Sequence, residues 1–294
     1  MPFARGSGSP DDASPAFGPG VVVAGRYEIE GHRGAGAMAE VWKALDRHLD
    51  RPVAIKIPGE PWAVDAEFRE RFRRELQRMI LLEHPHIVRL YDVGEHGGRP
   101  YAVIAFLEGG NQRERIERSG SDRPRRLPTS DLANWVPAIA EALDFIHARG
   151  VLHRDVKPEN ILFDATGNPY LADFGLAKSP GHEASLTPHS NIVGAPGYIS
   201  PETLAGRGSS AASDQYALAT TVYESITGSS PYVGGDGLAM MRRRATEDAP
   251  LASLVAPTAR IPSWLDQALA QALHRDPAAR FASCGAFARA VVRT

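Results

Sequence analysis

His153-Arg154-Asp155-Val156-Lys157-Pro158-Glu159-Asn160, followed by Asp173-Phe174-Gly175 and then by Ser200-Pro201-Glu202, is the stretch on which the reading of this 294-residue chain turns. Taken singly, each piece has an ordinary explanation. Asp-Phe-Gly is a common turn tripeptide, and His-Arg-Asp can be a solvated loop. Taken together and in this order they rarely coincide by chance. What stands upstream decides how they are read.

The segment Pro52 to Ile57 alternates. Successive side chains of a strand point to opposite faces, so Val53, Ile55 and Ile57 share one face, Ala54 and Lys56 the other. A lysine in so apolar a strand calls for an anionic partner, because burying an unpaired charge is costly. The segment Asp65 to Glu83 offers one. Phe68, Phe72, Leu76 and Met79 mark one face of a helix, and Glu75 falls on that stripe. Glu75 either sits at the edge of the stripe and reaches water or pairs with Lys56, and the matching anomaly at Lys56 favours the pair. Earlier still lies Gly34-Ala35-Gly36-Ala37-Met38-Ala39-Glu40-Val41, whose small residues let backbone N–H groups approach phosphate oxygens. Plain hairpin turns produce such patterns too, so this stretch points to phosphate only in company.

Working outward, two regions separate. Residues 1 to 24 are rich in Gly, Pro, Ser and Asp and read as a disordered leader. Up to about Leu107, short β-like runs dominate: Tyr27 to Glu30, Ala39 to Ala44, Pro52 to Ile57, Val88 to Val93 and Tyr101 to Phe106, interrupted by the one helix. Beyond Leu107 the pattern is mainly helical. Leu132, Trp135, Val136, Ile139, Leu143 and Ile146 keep to one face, with Ser130 as N-cap and Gly150 just past the end. Pro137 inside that helix should kink it. Arg113 to Pro128, charged and proline-containing, reads as an exposed loop. Lys and Arg number 33 against 35 Asp and Glu, so no basic excess points to nucleic acid as the main partner. The single cysteine, Cys284, excludes an intramolecular disulfide and fits the reducing cytoplasm. No apolar run reaches the ~18 residues of a membrane-spanning helix, so no membrane segment is expected.

The quoted motifs resemble the protein kinase signature set: a catalytic loop, a metal-binding Asp-Phe-Gly and a variant of Ala-Pro-Glu. The resemblance runs from Tyr27 to Val292 and is to bacterial serine/threonine kinases of eukaryotic type, also called Hanks-type. Supporting echoes are Arg73-Arg74-Glu75, His84-Pro85-His86-Ile87-Val88, Leu107-Glu108-Gly109-Gly110, Ser213-Asp214 and Asp276-Pro277-Ala278-Ala279-Arg280-Phe281. It implies an α+β, two-lobed protein kinase fold over 25–294. A small β-rich N-lobe with one key helix (25–107) would precede a larger, mainly helical C-lobe (108–294). It also implies transfer of the γ-phosphate of Mg-ATP to serine or threonine hydroxyls of proteins.

By matching position, Lys56, oriented by Glu75, would hold the α/β-phosphates under a loop carrying Gly34, Gly36 and Ala39. Asp173 would chelate Mg²⁺, or Mn²⁺ in its place, and Asn160 would serve a second metal position, since hard cations take oxygen ligands. Asp155 would accept the proton of the substrate hydroxyl or orient it, and Lys157 would neutralise the γ-phosphoryl. Adenine would lie against Val41, Ala54 and Leu162, with hydrogen bonds from the backbone at Ala105 to Leu107 and Ile104 at the gatekeeper position. Glu202 would pair with Arg280 and buttress the substrate platform.

The resemblance also implies regulation. Arg154 would meet a phosphate on the activation segment, whose candidate hydroxyls are Ser179, Ser185, Thr187 and Ser190. Thr187 stands at about the distance where related kinases autophosphorylate, through self-association in trans. Two departures stand out: Ala39 replaces a third glycine, and Ala195 replaces a threonine. They leave room for an alternative, a catalytically impaired pseudokinase acting as a scaffold, although Lys56, Glu75, Asp155, Lys157, Asn160 and Asp173 all survive. A small-molecule phosphotransferase of similar fold would lack Pro201-Glu202 and Arg280.

Overall fold

The computed structural model describes residues 17–35, 39–59, 70, 72, 76, 79–80, 82–120, 124–173, 196–232 and 237–293. They divide into two compact units, one reaching Leu76 and including Leu90–Phe106, the other comprising 77–89 and everything from Leu107.

In the first unit β1 (Val22–Val23), β2 (Tyr27–Ala35), β3 (Ala39–Asp46), β4 (Arg51–Pro58), β5 (Leu90–His96) and β6 (Arg99–Ala105) form one antiparallel sheet in the order β1-β2-β3-β4-β6-β5. The alternation of β4 sets its two faces. Val53, Ile55 and Ile57 are fully buried and join Val23, Tyr27, Ile29, Ala44, Tyr101 and Val103 in one core. Lys56 projects from the opposite face, across from Val41 on β3 and Ala102 on β6. Glu70, Phe72, Leu76, Met79 and Ile80 are helical, with Phe72 and Leu76 buried, within the span expected for the single helix. The sequence reading placed a disordered leader over residues 1 to 24. Within it, Val22–Val23 instead pairs with β2 and Val23 is fully buried, because two valines supply enough apolar surface to anchor a short edge strand.

The second unit contains α1 (Gln112–Arg118), α2 (Leu132–His147), α3 (Pro201–Leu204), α4 (Ala211–Thr227), α5 (Gly237–Thr246), α6 (Ala252–Val255), α7 (Ser263–Ala272) and α8 (Cys284–Val291). A hairpin of β7 (Ile161–Phe163) and β8 (Pro169–Leu171) lies between α2 and α3 in the chain. Leu132, Trp135, Val136, Ile139, Leu143 and Ile146 of α2 are buried, as the periodicity required, and share a core with Tyr216, Leu218 and Val222 of α4 and Phe287 of α8.

Two local expectations need correction. The exposed loop expected at Arg113 to Pro128 contains α1. The Asn111 side chain caps it by accepting from the N–H of Glu114, Ile116 is buried, and Glu114 pairs with Arg118 one turn on. The N-cap of α2 is Asp131 rather than Ser130, because Thr129–Asp131 forms a 3₁₀ turn that leads into the helix. Pro137 lies within α2, which continues through it to His147. Both Pro137 and Ala133 face solvent, so water can bond the carbonyl that proline leaves without a donor.

Candidate active site

The start of the loop His153–Asn160 is anchored by one buried carboxylate. Asp214, in the first turn of α4, accepts from the backbone N–H of His153 and of Arg154, both at 2.8 Å, and meets Nε2 of His147 at 2.8 Å. Burial alone would raise this carboxyl. The bonds from His147 and the His153 N–H outweigh it and hold Asp214 below the ordinary carboxylate range. The anchor restrains a strained backbone at Arg154, which has φ +64°; Asp173 has φ +56°. Such conformations cost non-glycine residues about 1–3 kcal/mol each and persist only where surroundings dictate them.

His153, fully buried, ties this loop to Ala172, just past the end of β8. Its Nδ1 accepts from the N–H of Asp155 at 3.2 Å, and its Nε2 meets the carbonyl of Ala172 at 2.9 Å. Both bonds are satisfied only when the proton sits on Nε2, the neutral tautomer. Burial accordingly holds the His153 imidazole below its usual range. The β7–β8 hairpin then returns the chain, and the N–H of Ala172 donates to the carbonyl of Asn160 at 2.8 Å. That bond brings Asp173 and Asn160 to the same end of the hairpin.

Around Asp155 the polar groups converge. Lys157 Nζ donates to Asp155 Oδ2 at 2.7 Å, and Asn160 Nδ2 donates to the same oxygen at 2.9 Å and to the Asp155 carbonyl at 2.7 Å. With Nδ2 spent on Asp155, Asn160 presents Oδ1 as its remaining oxygen. That oxygen and the Asp173 carboxylate are oxygen donors of the kind a hard divalent cation takes. Among the described residues, Asp144, His147 and Cys284 also bring ligand atoms within 4.8 Å of one another. There, however, the Asp144 oxygens accept from the N–H groups of Cys284 and Gly285, and His147 holds Asp214. This second cluster is a structural tie between α2 and α8.

The remaining site residues are distributed as follows. In the first unit Gly34 lies opposite Val41 in the β2–β3 register, Ala39 opposite Pro58, and Ala54 opposite Ile104. Ala105 ends β6 across from Val53, and Leu107 follows it in the second unit. Leu162 stands in β7 opposite Tyr170. Gly36, Glu75, Phe174, Gly175, Ser179, Ser185, Thr187, Ser190 and Ala195 lie outside the described residues, and with them the Lys56–Glu75 pair and the activation-segment phosphosite. The Glu202–Arg280 pair is present and buried, with two parallel bonds of 2.9 and 2.7 Å, and Ser213 Oγ donates to Glu202 at 2.7 Å. Burial pushes the Glu202 carboxyl up, and the Arg280 guanidinium more than offsets this, leaving it below its ordinary value.

Two arginines that the sequence reading did not single out also meet here. Arg113 donates to Glu159 at 2.9 Å, to Glu224 at 2.8 Å and to the Tyr198 hydroxyl at 2.8 Å. Tyr198 in turn donates to Glu224, and burial raises its phenol well above the usual range. Arg244 donates to the carbonyls of Ile199 and Gly197. Arg113's partners are 46, 111 and 85 positions away, so no local pattern could have revealed them.

Comparison with known proteins agrees with this geometry. The protein kinase domain family matches residues 27–292. Serine/threonine-protein kinase PknL of Mycobacterium tuberculosis is 35% identical over 257 residues, covering 87% of this chain and 62% of PknL. Serine/threonine-protein kinase PknA of the same species is 34% identical over 277 residues, covering 92% of this chain and 62% of PknA. The chain thus spans less than two thirds of the length of these relatives. The crystal structure of the M. tuberculosis PknI kinase domain superposes with a TM-score of 0.72 at 32% identity, covering 94% of this chain and 98% of that domain. The loop anchored at Asp214, the buried Glu202–Arg280 pair and these matches lead to one assignment: the chain belongs to the protein kinase family, among the bacterial serine/threonine kinases of Hanks type.

Proposed function

We propose that this chain transfers the γ-phosphate of ATP to serine or threonine hydroxyls of protein substrates. The observation that carries this reading is the convergence of Lys157 and Asn160 on Asp155 Oδ2. Phosphoryl transfer asks a protein for position and charge neutralisation more than for covalent chemistry. Asp155 is the group to orient the attacking hydroxyl and take its proton, held by two donors on a loop with little freedom. Lys157, beside that carboxylate, is assigned the neutralisation of charge on the phosphoryl group in transit. Asn160 Oδ1 and Asp173 are the residues that would hold Mg²⁺, or Mn²⁺. Bound together with ATP, such a cation would neutralise phosphate oxygens.

On the nucleotide side, Lys56 with Glu75 is assigned to the α/β-phosphates, and Gly34, Gly36 and Ala39 to the loop that covers them. Val41, Ala54 and Leu162 are assigned to the adenine ring, and the backbone at Ala105 and Leu107 to its polar edge. The partners proposed are ATP, proteins bearing serine or threonine, and a second copy of the chain for trans-autophosphorylation, in the cytoplasm. Among the described residues no helix is long and apolar enough to cross a membrane. The survival of Lys56, Asp155, Lys157, Asn160 and Asp173 weighs against the scaffold alternative.

The test is transfer of radiolabelled phosphate from ATP to a generic protein acceptor and to the chain itself. Asp155→Asn, which keeps the size of the side chain, should lower transfer by at least about 10²-fold with its melting temperature retained. Transfer by a folded Asp155→Asn protein at the wild-type rate would remove Asp155 from the role of base.

A further inference from the structure

Helix α5 carries Arg242, Arg243 and Arg244 in succession, and the three go to different places. Arg242 is exposed and Arg243 pairs with Glu247 one turn later. Arg244 is fully buried, second in size only to Trp135 among the fully buried side chains described. Its guanidinium lies 5.4 Å from the ring centroid of Tyr232, and its Nη1 and Nη2 donate to the carbonyls of Ile199 and Gly197. Burial lowers its proton affinity. Burying a guanidinium is costly, and an apolar side chain of similar volume would fill such a site more cheaply. The feature that only the fork of an arginine supplies here is a grip on two carbonyls at once.

Those carbonyls flank Tyr198. The Tyr198 hydroxyl is bonded to Glu224 and receives from Arg113, whose Nε holds Glu159 between Pro158 and Asn160 of the catalytic loop. Just downstream, Glu202 is fixed by Arg280. The segment Gly197–Ile199 is thus held through its carbonyls by Arg244 and through the Tyr198 hydroxyl by Arg113, while Arg280 fixes Glu202 three residues further on.

We propose that Arg244 is a positioning residue for the protein substrate: by clamping Gly197 and Ile199 it keeps Tyr198 and its neighbours registered against the catalytic loop, where the acceptor hydroxyl must be presented. The proposal rests on the kinase reading above. It assigns Arg244 no contact with ATP and no part in the transfer itself.

Two variants test it. Arg244→Met keeps the volume and loses both donors, whereas Arg244→Lys keeps the charge and can reach one carbonyl. The expected result for Arg244→Met is a loss of roughly tenfold to a hundredfold in kcat/KM for a peptide acceptor. Its KM for ATP and its ATP hydrolysis without an acceptor should stay within about twofold of wild type. Its melting temperature should fall by no more than a few degrees, because losing the buried cation offsets part of the cost of leaving the Gly197 and Ile199 carbonyls without donors. Arg244→Lys should lie between the two, and it serves if the methionine variant fails to fold. Peptide phosphorylation at wild-type efficiency in both variants overturns the proposal. So does a KM for ATP that rises in step with the peptide defect. Amide hydrogen exchange across Gly197–Ser200 keeps the two readings apart. Faster exchange in Arg244→Met supports the clamp even if the wild-type chain proves to transfer no phosphate, an outcome that would overturn the kinase reading alone. Unchanged exchange overturns the clamp.

Discussion

Strand β4 and the loop from His153 to Asn160 each hold a lysine of the proposed site, Lys56 and Lys157, and they do so by opposite means. Lys56 sits in a ladder: β3 and β6 pair with β4 on either side, and the alternating Val53, Ile55 and Ile57 bury the other face. Its place follows from register, and many backbone bonds share the work. Lys157 lies in irregular chain just before the 3₁₀ turn Pro158–Asn160, and its neighbours are held by Asp214, His153 and Asn160 through side chains. A ladder tolerates the loss of one contact. A network gathered on a single buried carboxylate does not.

The largest effect expected from this contrast is at the anchor. Asp214→Ala leaves the N–H groups of His153 and Arg154 without their acceptor and should cost roughly 3–5 kcal/mol of stability. Chemical denaturation measures that loss directly, and a loss under about 1 kcal/mol would show that the loop is held by other means. Lys56→Met should do the reverse. Phosphate transfer should fall by roughly 10²- to 10³-fold. The melting temperature should move by less than the 2–4 °C that about 1 kcal/mol represents in a chain of this size. A large drop in melting temperature would mean that Lys56 supports the fold as well as the site.

The smallest effect is in the pH dependence of the network. The folded pKa of His153 lies below the unfolded value of 6.5, so the unfolded chain binds the extra proton first. Stability is therefore untouched above about 6.5 and falls as the pH drops below it, by at most about 1.4 kcal/mol per pH unit for this one group. Comparing wild type with His153→Phe at pH 7.5 and 5.5 isolates the contribution. Equal slopes in the two proteins would assign the pH dependence to other groups.

The same contrast separates what could be read in the sequence from what could not. The faces of β4 and the buried stripe of α2 follow from periodicity alone, because each side chain's burial is set by its neighbours within a turn or a pleat. The catalytic loop was legible only as a motif. Its first two residues, His153 and Arg154, are fixed by Asp214, some 60 positions downstream, and no period records such a contact. Helix α1 was missed because its helical character rests on one buried isoleucine and a cap by Asn111, while its charged residues gave the look of a loop. Arg244 was missed for a related reason. In a run of three arginines nothing marks the one that turns inward toward Tyr232 and the Gly197 and Ile199 carbonyls.

The two valines of β1 have a practical side. They pair with Tyr27 and Glu28, the carbonyl of Val21 accepts from the N–H of Ile29, and Phe17 packs edge-on against His96 with the Arg99 guanidinium 5.1 Å from its ring centroid. This short strand covers the start of β2 on that side of the sheet. A chain trimmed to begin at Gly25 would strip it away and leave bare the peptide groups of Tyr27 to Ile29, next to the apolar slot that Val23 had filled. Bare edges recruit other strands. Such a shortened protein would therefore show its defect in the vial before it showed it in an assay, as concentration-dependent self-association of an otherwise folded enzyme.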